Sequence, residues 1–133
     1  MSVDLSQFHE VFFEECFECL DLMETELSSL DLEDVDLEKL NTVYRSAHTI
    51  KGSGAMFGFD GASNYAHTLE KHLKSMHAGD VKITQETKDI LFSAIDFLRG
   101  IITQLQNQQA VDQDNLQKHR DSIESELCRL AST

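Results

Sequence analysis

The chain has 133 residues, a formal net charge of -13 at pH 7, no proline and only 6 glycines. This length fits one domain with a single buried core. The acidic surface argues against nucleic acid and anionic membranes as partners, and the scarcity of proline and glycine leaves little to interrupt helices. We therefore expect an all-α protein.

Apolar side chains recur at steps of three and four through five segments, which is the spacing of amphipathic helices. In the first segment this stripe includes Leu5, Phe8 and Phe12. Asp36 precedes the second segment as a helix N-cap, Thr84 precedes the fourth, and Gly58 supplies a stop. The predicted helices cover about residues 4-30, 36-57, 60-78, 84-107 and 112-130.

The short connections between these helices favour antiparallel neighbours. We therefore predict an up-down four-helix bundle with an additional C-terminal helix, and a single domain of residues 1-133. The N-terminus lacks a signal-peptide pattern, and no stretch approaches the roughly 20 apolar residues that span a bilayer. The chain is expected to be cytoplasmic.

The three cysteines include a C-x-x-C pair, Cys16 and Cys19, which is a spacing found in redox and zinc sites. Both residues lie inside the first apolar stripe, no second ligand pair follows, and Cys128 stands alone. We interpret the pair as reduced, small core residues.

Two predicted helices carry polar side chains on the same flank of their apolar stripe. In the second helix these are His48 and Lys51, and in the third they are His67 and Glu70. If the two helices pack as antiparallel neighbours, these flanks meet, and the four side chains converge on a partly exposed seam.

Such a cluster has a plausible chemistry. A carboxylate that accepts the Nδ1 proton of His48 fixes the tautomer and leaves Nε2 free as a nucleophile, and Glu70 is placed for this role. Lys51 can offset the charge of a phosphoryl group. Gly52, one turn beyond His48, would let a partner approach the imidazole, whereas Gly54 continues the core stripe and permits close helix packing.

Spacing alone leaves a plainer interpretation open. A histidine at the edge of an apolar stripe is commonly a half-buried structural residue, and Glu70 with Lys74 could form an ordinary i,i+4 pair. Four other histidines are interpreted as surface or boundary residues: His9, His72, His77 and His119.

The segment YRSAHTIKGSGAMFGF, residues 44 to 59, resembles the phosphorylation-site helix of histidine phosphotransfer domains, specifically the N-terminal domain of CheA-type chemotaxis kinases. The match extends beyond the short A-H-x-[LI]-K-G core to the trailing M-F-G-F. The pattern F-x-E-x-x-E-x-L at residues 13 to 20 and A-H-x-x-E at residues 66 to 70 reinforce it. The resemblance covers about residues 5 to 107.

The resemblance implies that His48 is phosphorylated, with Lys51, His67 and Glu70 in the hydrogen-bonding network around it. It also implies a parent kinase whose ATP-binding domain is absent here, since no glycine-rich nucleotide motif occurs. The chain is then a phosphorelay carrier and no enzyme on its own. It is expected to be monomeric and to bind no cofactor, with Mg-ATP and Mg²⁺ supplied by its partners, the kinase domain and CheY-like receiver domains of response regulators.

Two rival functions remain to be tested. A metal-carboxylate bundle needs two Glu-x-x-His motifs facing inward, whereas this chain has the reverse order once and on an outer flank, so no metal site is expected. A helical interaction module without chemistry is the alternative. Failure of phosphorylation by every cognate kinase would favour it.

Overall fold

A computed structural model describes the backbone of residues 5–132 and the side chains from residue 7 onwards. Within this range the chain forms five helices and no strand. They are α1 (Leu5–Ser28), α2 (Leu37–Met56), α3 (Asp60–His77), α4 (Gln85–Gln106) and α5 (Gln113–Ala131). The predicted ends differ from these by no more than two residues, and the predicted start at residue 4 lies outside the described residues.

The first four helices form a closed ring in which each packs on the next and α4 returns to α1. The fifth helix packs outside this ring, against α3 and α4. This arrangement confirms the predicted four-helix bundle with an additional C-terminal helix. None of the described helices is long and apolar enough to cross a membrane.

Side-chain caps fix where several helices begin. The Asp36 carboxylate accepts hydrogen bonds from the backbone N–H groups of Glu38 and Lys39, and the hydroxyls of Thr84 and Thr87 form a reciprocal capping box. These bonds satisfy N–H groups that have no partner within the helix. The predicted N-caps at Asp36 and Thr84 are therefore confirmed.

The core is built from the predicted apolar stripes, with one clear exception. Phe12 is fully buried, but Phe8 exposes 48% of its surface, so its predicted place in the core is wrong. Cys16 and Cys19 are free, buried thiols, as predicted. Burial, with a smaller effect of neighbouring charges, raises the pKa of Cys16 to about 12 and that of Cys19 to about 11, so both stay protonated and unreactive.

The turn between α2 and α3 explains the M-F-G-F segment. Gly58 adopts a φ of +80°, a left-handed conformation that glycine tolerates best, and it ends α2. Phe57 and Phe59 flank it and pack on Phe12 of α1, with ring centroids 5.6 and 4.9 Å away. The turn is thereby anchored to α1, which fixes how α2 and α3 lie against each other.

Candidate functional site

His48 lies in the middle of α2 and exposes 59% of its side chain. Glu70 lies on α3 and exposes only 12%. Since the short turn at Gly58 makes α2 and α3 antiparallel neighbours, the flanks that carry these two residues meet along one seam. The seam presents an accessible imidazole above a largely buried carboxylate.

The Glu70 carboxylate bridges two cationic or proton-donating groups of α2. Its Oε1 lies 3.2 Å from Nδ1 of His48, and its Oε2 lies 2.9 Å from Nζ of Lys51. An ionised carboxylate can only accept a hydrogen bond, so a hydrogen bond across this 3.2 Å contact requires the proton on Nδ1 of His48. The lone pair of a neutral imidazole is then on Nε2, which makes no hydrogen bond to any described residue.

Glu70 is held in its charged form. Burial of the carboxylate acts to raise its pKa, but the hydrogen bonds and charges of Lys51 and His48 together outweigh that effect, and the pKa of Glu70 lies below its usual value. The site thus holds a permanent negative charge against Nδ1 at neutral pH, which stabilises both the tautomer and any positive charge that develops on the ring.

Close packing of α2 on α3 sets this geometry. The Ser63 hydroxyl of α3 donates a hydrogen bond of 2.7 Å to the backbone carbonyl of Lys51. A Cβ on buried Gly54 would lie 3.2 Å from both Cβ and N of Ser63, which is closer than ordinary van der Waals contact. The glycine therefore lets the two helices approach to the distance at which Glu70 reaches His48.

Gly52 and His67 occupy the open side of the seam. A Cβ on Gly52 would meet no atom within 4 Å, so this glycine is not required by packing. His67 is exposed on α3 and makes no hydrogen bond, ion pair or ring contact with the described part of the chain. The structure brings together His48, Lys51 and Glu70, while the network role of His67 stays a prediction.

A family model of the Hpt (histidine phosphotransfer) domain matches residues 7–113 and so includes the whole seam. The chain belongs to the Hpt domain family. The resemblance drawn from the α2 motif is confirmed, and so is the predicted class of function, a phosphorelay carrier.

Relatives of this Hpt domain are chemotaxis proteins. The chain is 38% identical over 103 residues to the chemotaxis protein CheA of Klebsiella aerogenes and 33% identical over 100 residues to that of Bacillus subtilis. These alignments cover 72% and 75% of this chain but only 16% and 15% of the relatives. The chain therefore spans a small part of the length of these proteins.

Solved structures share the fold. The CheA phosphotransferase domain from Thermotoga maritima is 27% identical, with a TM-score of 0.71 over 77% of this chain and 98% of that chain. The phosphorylated P1 domain of CheA3 from R. sphaeroides, solved in complex with CheY6, is 22% identical, with a TM-score of 0.81 over 93% and 98% of the two chains. The second likeness supports the fold alone.

One neighbour of His48 was not predicted. The ring of Tyr44, one turn earlier on α2, stacks beside the imidazole with centroids 6.4 Å apart and an interplanar angle of 25°. The i,i+4 spacing of the two aromatic residues could have indicated this contact. Tyr44 covers one side of His48 and leaves the direction towards Gly52 open.

Exposed apolar side chains lie on the helix that carries His48 and on α1. The large hydrophobic residues that are exposed in the described structure all lie on α1 or α2. Leu37 precedes His48 by about three helical turns, so the two side chains project from the same face of α2. We call this set the α1–α2 apolar face: Phe8, Val11, Leu22, Leu37 and Met56.

The prediction that His119 is a surface or boundary residue misses its contacts. Its ring stacks on Phe97 with centroids 3.7 Å apart, and its Nδ1 lies 2.9 Å from the hydroxyl of buried Tyr65. Burial lowers the pKa of His119. His119 therefore packs α5 against α3 and α4 and is not part of the His48 seam.

Proposed function

We propose that His48 is the phosphoryl acceptor and donor of this Hpt domain and that residues 1–133 act as one carrier unit. The observation that carries the proposal is the 3.2 Å contact between Nδ1 of an exposed His48 and the ionised, largely buried Glu70. It provides a nucleophile of defined tautomer on an open surface, which is what transfer between two large partners requires.

In the accepting step, the Nε2 lone pair of His48 attacks the γ-phosphorus of ATP held by a kinase domain. A P–N bond forms, the bond to the β,γ-bridging oxygen breaks, and ADP leaves. The ring now carries a proton on Nδ1 and a positive charge, which the Glu70 carboxylate offsets. Lys51 lies on the same seam and offsets charge on the phosphoryl oxygens.

In the donating step, a carboxylate oxygen of a receiver aspartate attacks the same phosphorus. The P–N bond breaks, an acyl phosphate forms, and neutral His48 returns with its proton still on Nδ1. Mg²⁺ and the nucleotide belong to the partners, and the carrier supplies only position and charge. The kinase domain is part of the same parent protein, a CheA-type kinase, and the isolated carrier acts as a monomer.

The α1–α2 apolar face is the docking surface for the receiver domain. Exposed large apolar side chains are typical of protein interaction surfaces, and in the described structure they lie on α1 and on the helix that carries His48. Gly52 lies between His48 and Met56 along α2 and leaves the space that a partner's backbone needs. His67 contributes from the α3 side when the phosphoryl group is present.

The test is phosphorylation by a CheA-type kinase catalytic fragment with radiolabelled Mg-ATP, followed by addition of a receiver domain. We expect wild-type protein to take up one label that is stable in base and lost in acid, and to pass it on. The His48→Gln variant should take up none. Stable label on the His48→Gln variant would contradict the assignment of His48 as the phosphoryl acceptor, because another residue would then accept the group.

A further inference from the structure

A second cluster of reactive side chains lies between α3 and α5, outside the His48 seam. His72 of α3 meets Glu124 and Cys128 of α5, and one ligand atom from each of the three lies within 4.8 Å of the others. Nε2 of His72 is 2.7 Å from Oε2 of Glu124, and Sγ of Cys128 is 3.8 Å from Oε1. The proposed phosphorelay uses none of these residues.

The fold itself produces this convergence. Glu124 and Cys128 are four residues apart on α5, so they project from one face of the helix. That face packs on α3, where the His72 side chain exposes only 12% of its surface. A nitrogen, a carboxylate oxygen and a sulfur therefore face one another at the edge of the interface, where a small ion has access from solvent.

The cluster is more than an ordinary ion pair. Glu124 also pairs with Lys71, whose Nζ lies 2.6 Å from Oε1, and these contacts among Lys71, His72 and Glu124 account for the positions of His72 and Glu124. They do not explain the cysteine. A thiol is a weak hydrogen-bond partner, so its place beside the carboxylate gains little unless a third atom joins the two.

We propose that His72, Glu124 and Cys128 form a zinc site with three protein ligands and an open fourth position. Histidine nitrogen, carboxylate oxygen and thiolate sulfur are all ligands of Zn²⁺, with bonds of about 2.0–2.3 Å. In a tetrahedral site these bonds place the ligand atoms roughly 3.3–3.6 Å apart. Nε2 of His72 and Oε2 of Glu124 lie 2.7 Å apart and would separate by roughly 0.6–0.9 Å. Sγ of the exposed Cys128 lies within 4.8 Å of the other ligand atoms and would move inwards by at most about 1.5 Å, which rotation of its side chain can provide.

Binding requires two changes of protonation. In the neutral ring the proton that lies between Nε2 of His72 and Glu124 moves to Nδ1, which frees the Nε2 lone pair for Zn²⁺, and the Cys128 thiol releases its proton to water. Lys71 retains Oε1 while the metal takes Oε2. Its side chain is 55% exposed and can also swing away, and the net charge of the chain favours cations throughout.

The test is titration of the reduced protein with Zn²⁺ by calorimetry, together with Co²⁺ as a spectroscopic probe. We expect one equivalent to bind, a higher Tm with Zn²⁺, and a thiolate-to-cobalt charge-transfer band. The variants Cys128→Ser, His72→Gln and Glu124→Gln should each weaken Zn²⁺ binding by at least about 10- to 100-fold, since even outer residues of metal sites have effects of that size. Cys128→Ser should also abolish the band.

Two control variants make the result specific. Lys71→Gln removes the competing cation from Glu124, so Zn²⁺ should bind as tightly as in wild type or more tightly. His77→Gln removes another α3 histidine that the cluster does not include, and binding should be unchanged. The proposal is overturned if wild type and Cys128→Ser bind Zn²⁺ equally, or if neither binds it at micromolar concentrations. It is also overturned if the cobalt band survives in Cys128→Ser and disappears in a Cys16→Ala, Cys19→Ala double variant.

Discussion

At Glu70, one carboxylate serves two partners of different kinds. Its contact to Nδ1 orients the nucleophile, and its contact to Lys51 keeps it ionised although only 12% of its side chain is exposed. In the proposed mechanism the lysine acts twice, once on the carboxylate and once on the phosphoryl group. This division explains why an otherwise ordinary surface histidine can have a defined tautomer.

Replacement of Glu70 by glutamine should slow phosphoryl acceptance by His48 while the helical circular dichroism is unchanged. The amide lacks the charge that offsets the positive ring in the accepting step, and it can present its NH₂ group to Nδ1, which favours the wrong tautomer. A reduction of about 10- to 100-fold in the rate with a kinase fragment is expected for loss of a positioned partner. Glu24→Gln is the matched control, because Glu24 forms an ion pair with Arg99 between α1 and α4. An equal loss in both variants would contradict the role of Glu70.

The stability of the fold should depend on pH through Glu70. Its pKa is lower in the folded protein than the value of about 4.3 in an unfolded chain. The ionised group therefore stabilises the folded state fully above that ordinary value, and the contribution is lost as the pH falls through the lowered pKa. Urea unfolding of wild type and Glu70→Gln should differ most at neutral pH and converge in acid. A difference that is constant across this range would argue against the ion pair.

The residues of the reactive seam were largely accessible to sequence reasoning. Periodicity placed His48, Lys51 and Glu70 on facing flanks, and a regular helix pair turns that pattern into contacts. The same reasoning could not settle His67, because a flank position fixes a direction and not a partner. Nor could it predict the meeting of His72 with Glu124, which depends on where α5 lies across α3.

Within α2, two glycines that are two residues apart face different surroundings. A Cβ added to Gly52 would meet no atom within 4 Å, whereas a Cβ added to Gly54 would lie 3.2 Å from Ser63 of α3. Both have a cost of about 1 kcal/mol in helix propensity relative to alanine. In the proposed function, Gly52 leaves space for a partner to approach. Gly54 allows α3 to pack closely on α2.

Substitution of Gly52 by glutamine should leave the fold intact and add up to about 1 kcal/mol to the free energy of unfolding. Phosphoryl transfer should fall sharply, because the new side chain occupies the space beside His48. Gly100→Gln is the matched control, since Gly100 also has no atom within 4 Å and lies on α4. It should gain similar stability and transfer normally. If Gly52→Gln transferred phosphoryl groups at the wild-type rate, Gly52 would not be needed to leave space for a partner beside His48.

Alanine at Gly54 should have the reverse effect on stability. Its Cβ would crowd Ser63 and the backbone carbonyl of Phe59, and overpacking of this kind lowers stability by about 1–3 kcal/mol. Thermal unfolding of Gly52→Ala and Gly54→Ala measured side by side provides the comparison. Equal melting temperatures would show that the α2–α3 interface can accommodate a Cβ at position 54 without overpacking.

The elements themselves were predicted well because long helices with clean apolar stripes leave few alternatives. The exception, Phe8, follows the spacing of α1 but extends beyond the surface that α2 and α4 cover. A stripe indicates which face of a helix points inwards, and it does not indicate how far along the helix its neighbours reach. Exposure at the end of a helix therefore depends on tertiary packing.

For the molecule as a whole, the reactive and apolar surfaces lie on α1, α2 and the near flank of α3, while α5 covers α3 and α4.

Leu127 of α5 is 2% exposed, so Leu127→Ala should lower the free energy of unfolding by about 2–5 kcal/mol. The transfer rate per folded molecule should stay the same. Unfolding curves and transfer assays below the melting temperature measure the two effects separately. A loss of transfer in fully folded protein would mean that α5 also shapes the seam.

The outward position of His48 has a kinetic consequence. His48 exposes 59% of its side chain, so the imidazole is reached across an open surface. In the proposed relay, a kinase domain and a receiver domain would bind over the same imidazole in turn, and the cycle would be ping-pong because each bound partner excludes the other. A receiver that lacks its acceptor aspartate should inhibit phosphorylation of the carrier competitively. The turnover rate of the relay is then limited by how quickly a bound partner dissociates. An excess of receiver domain slows the phosphorylation of the carrier by the kinase domain.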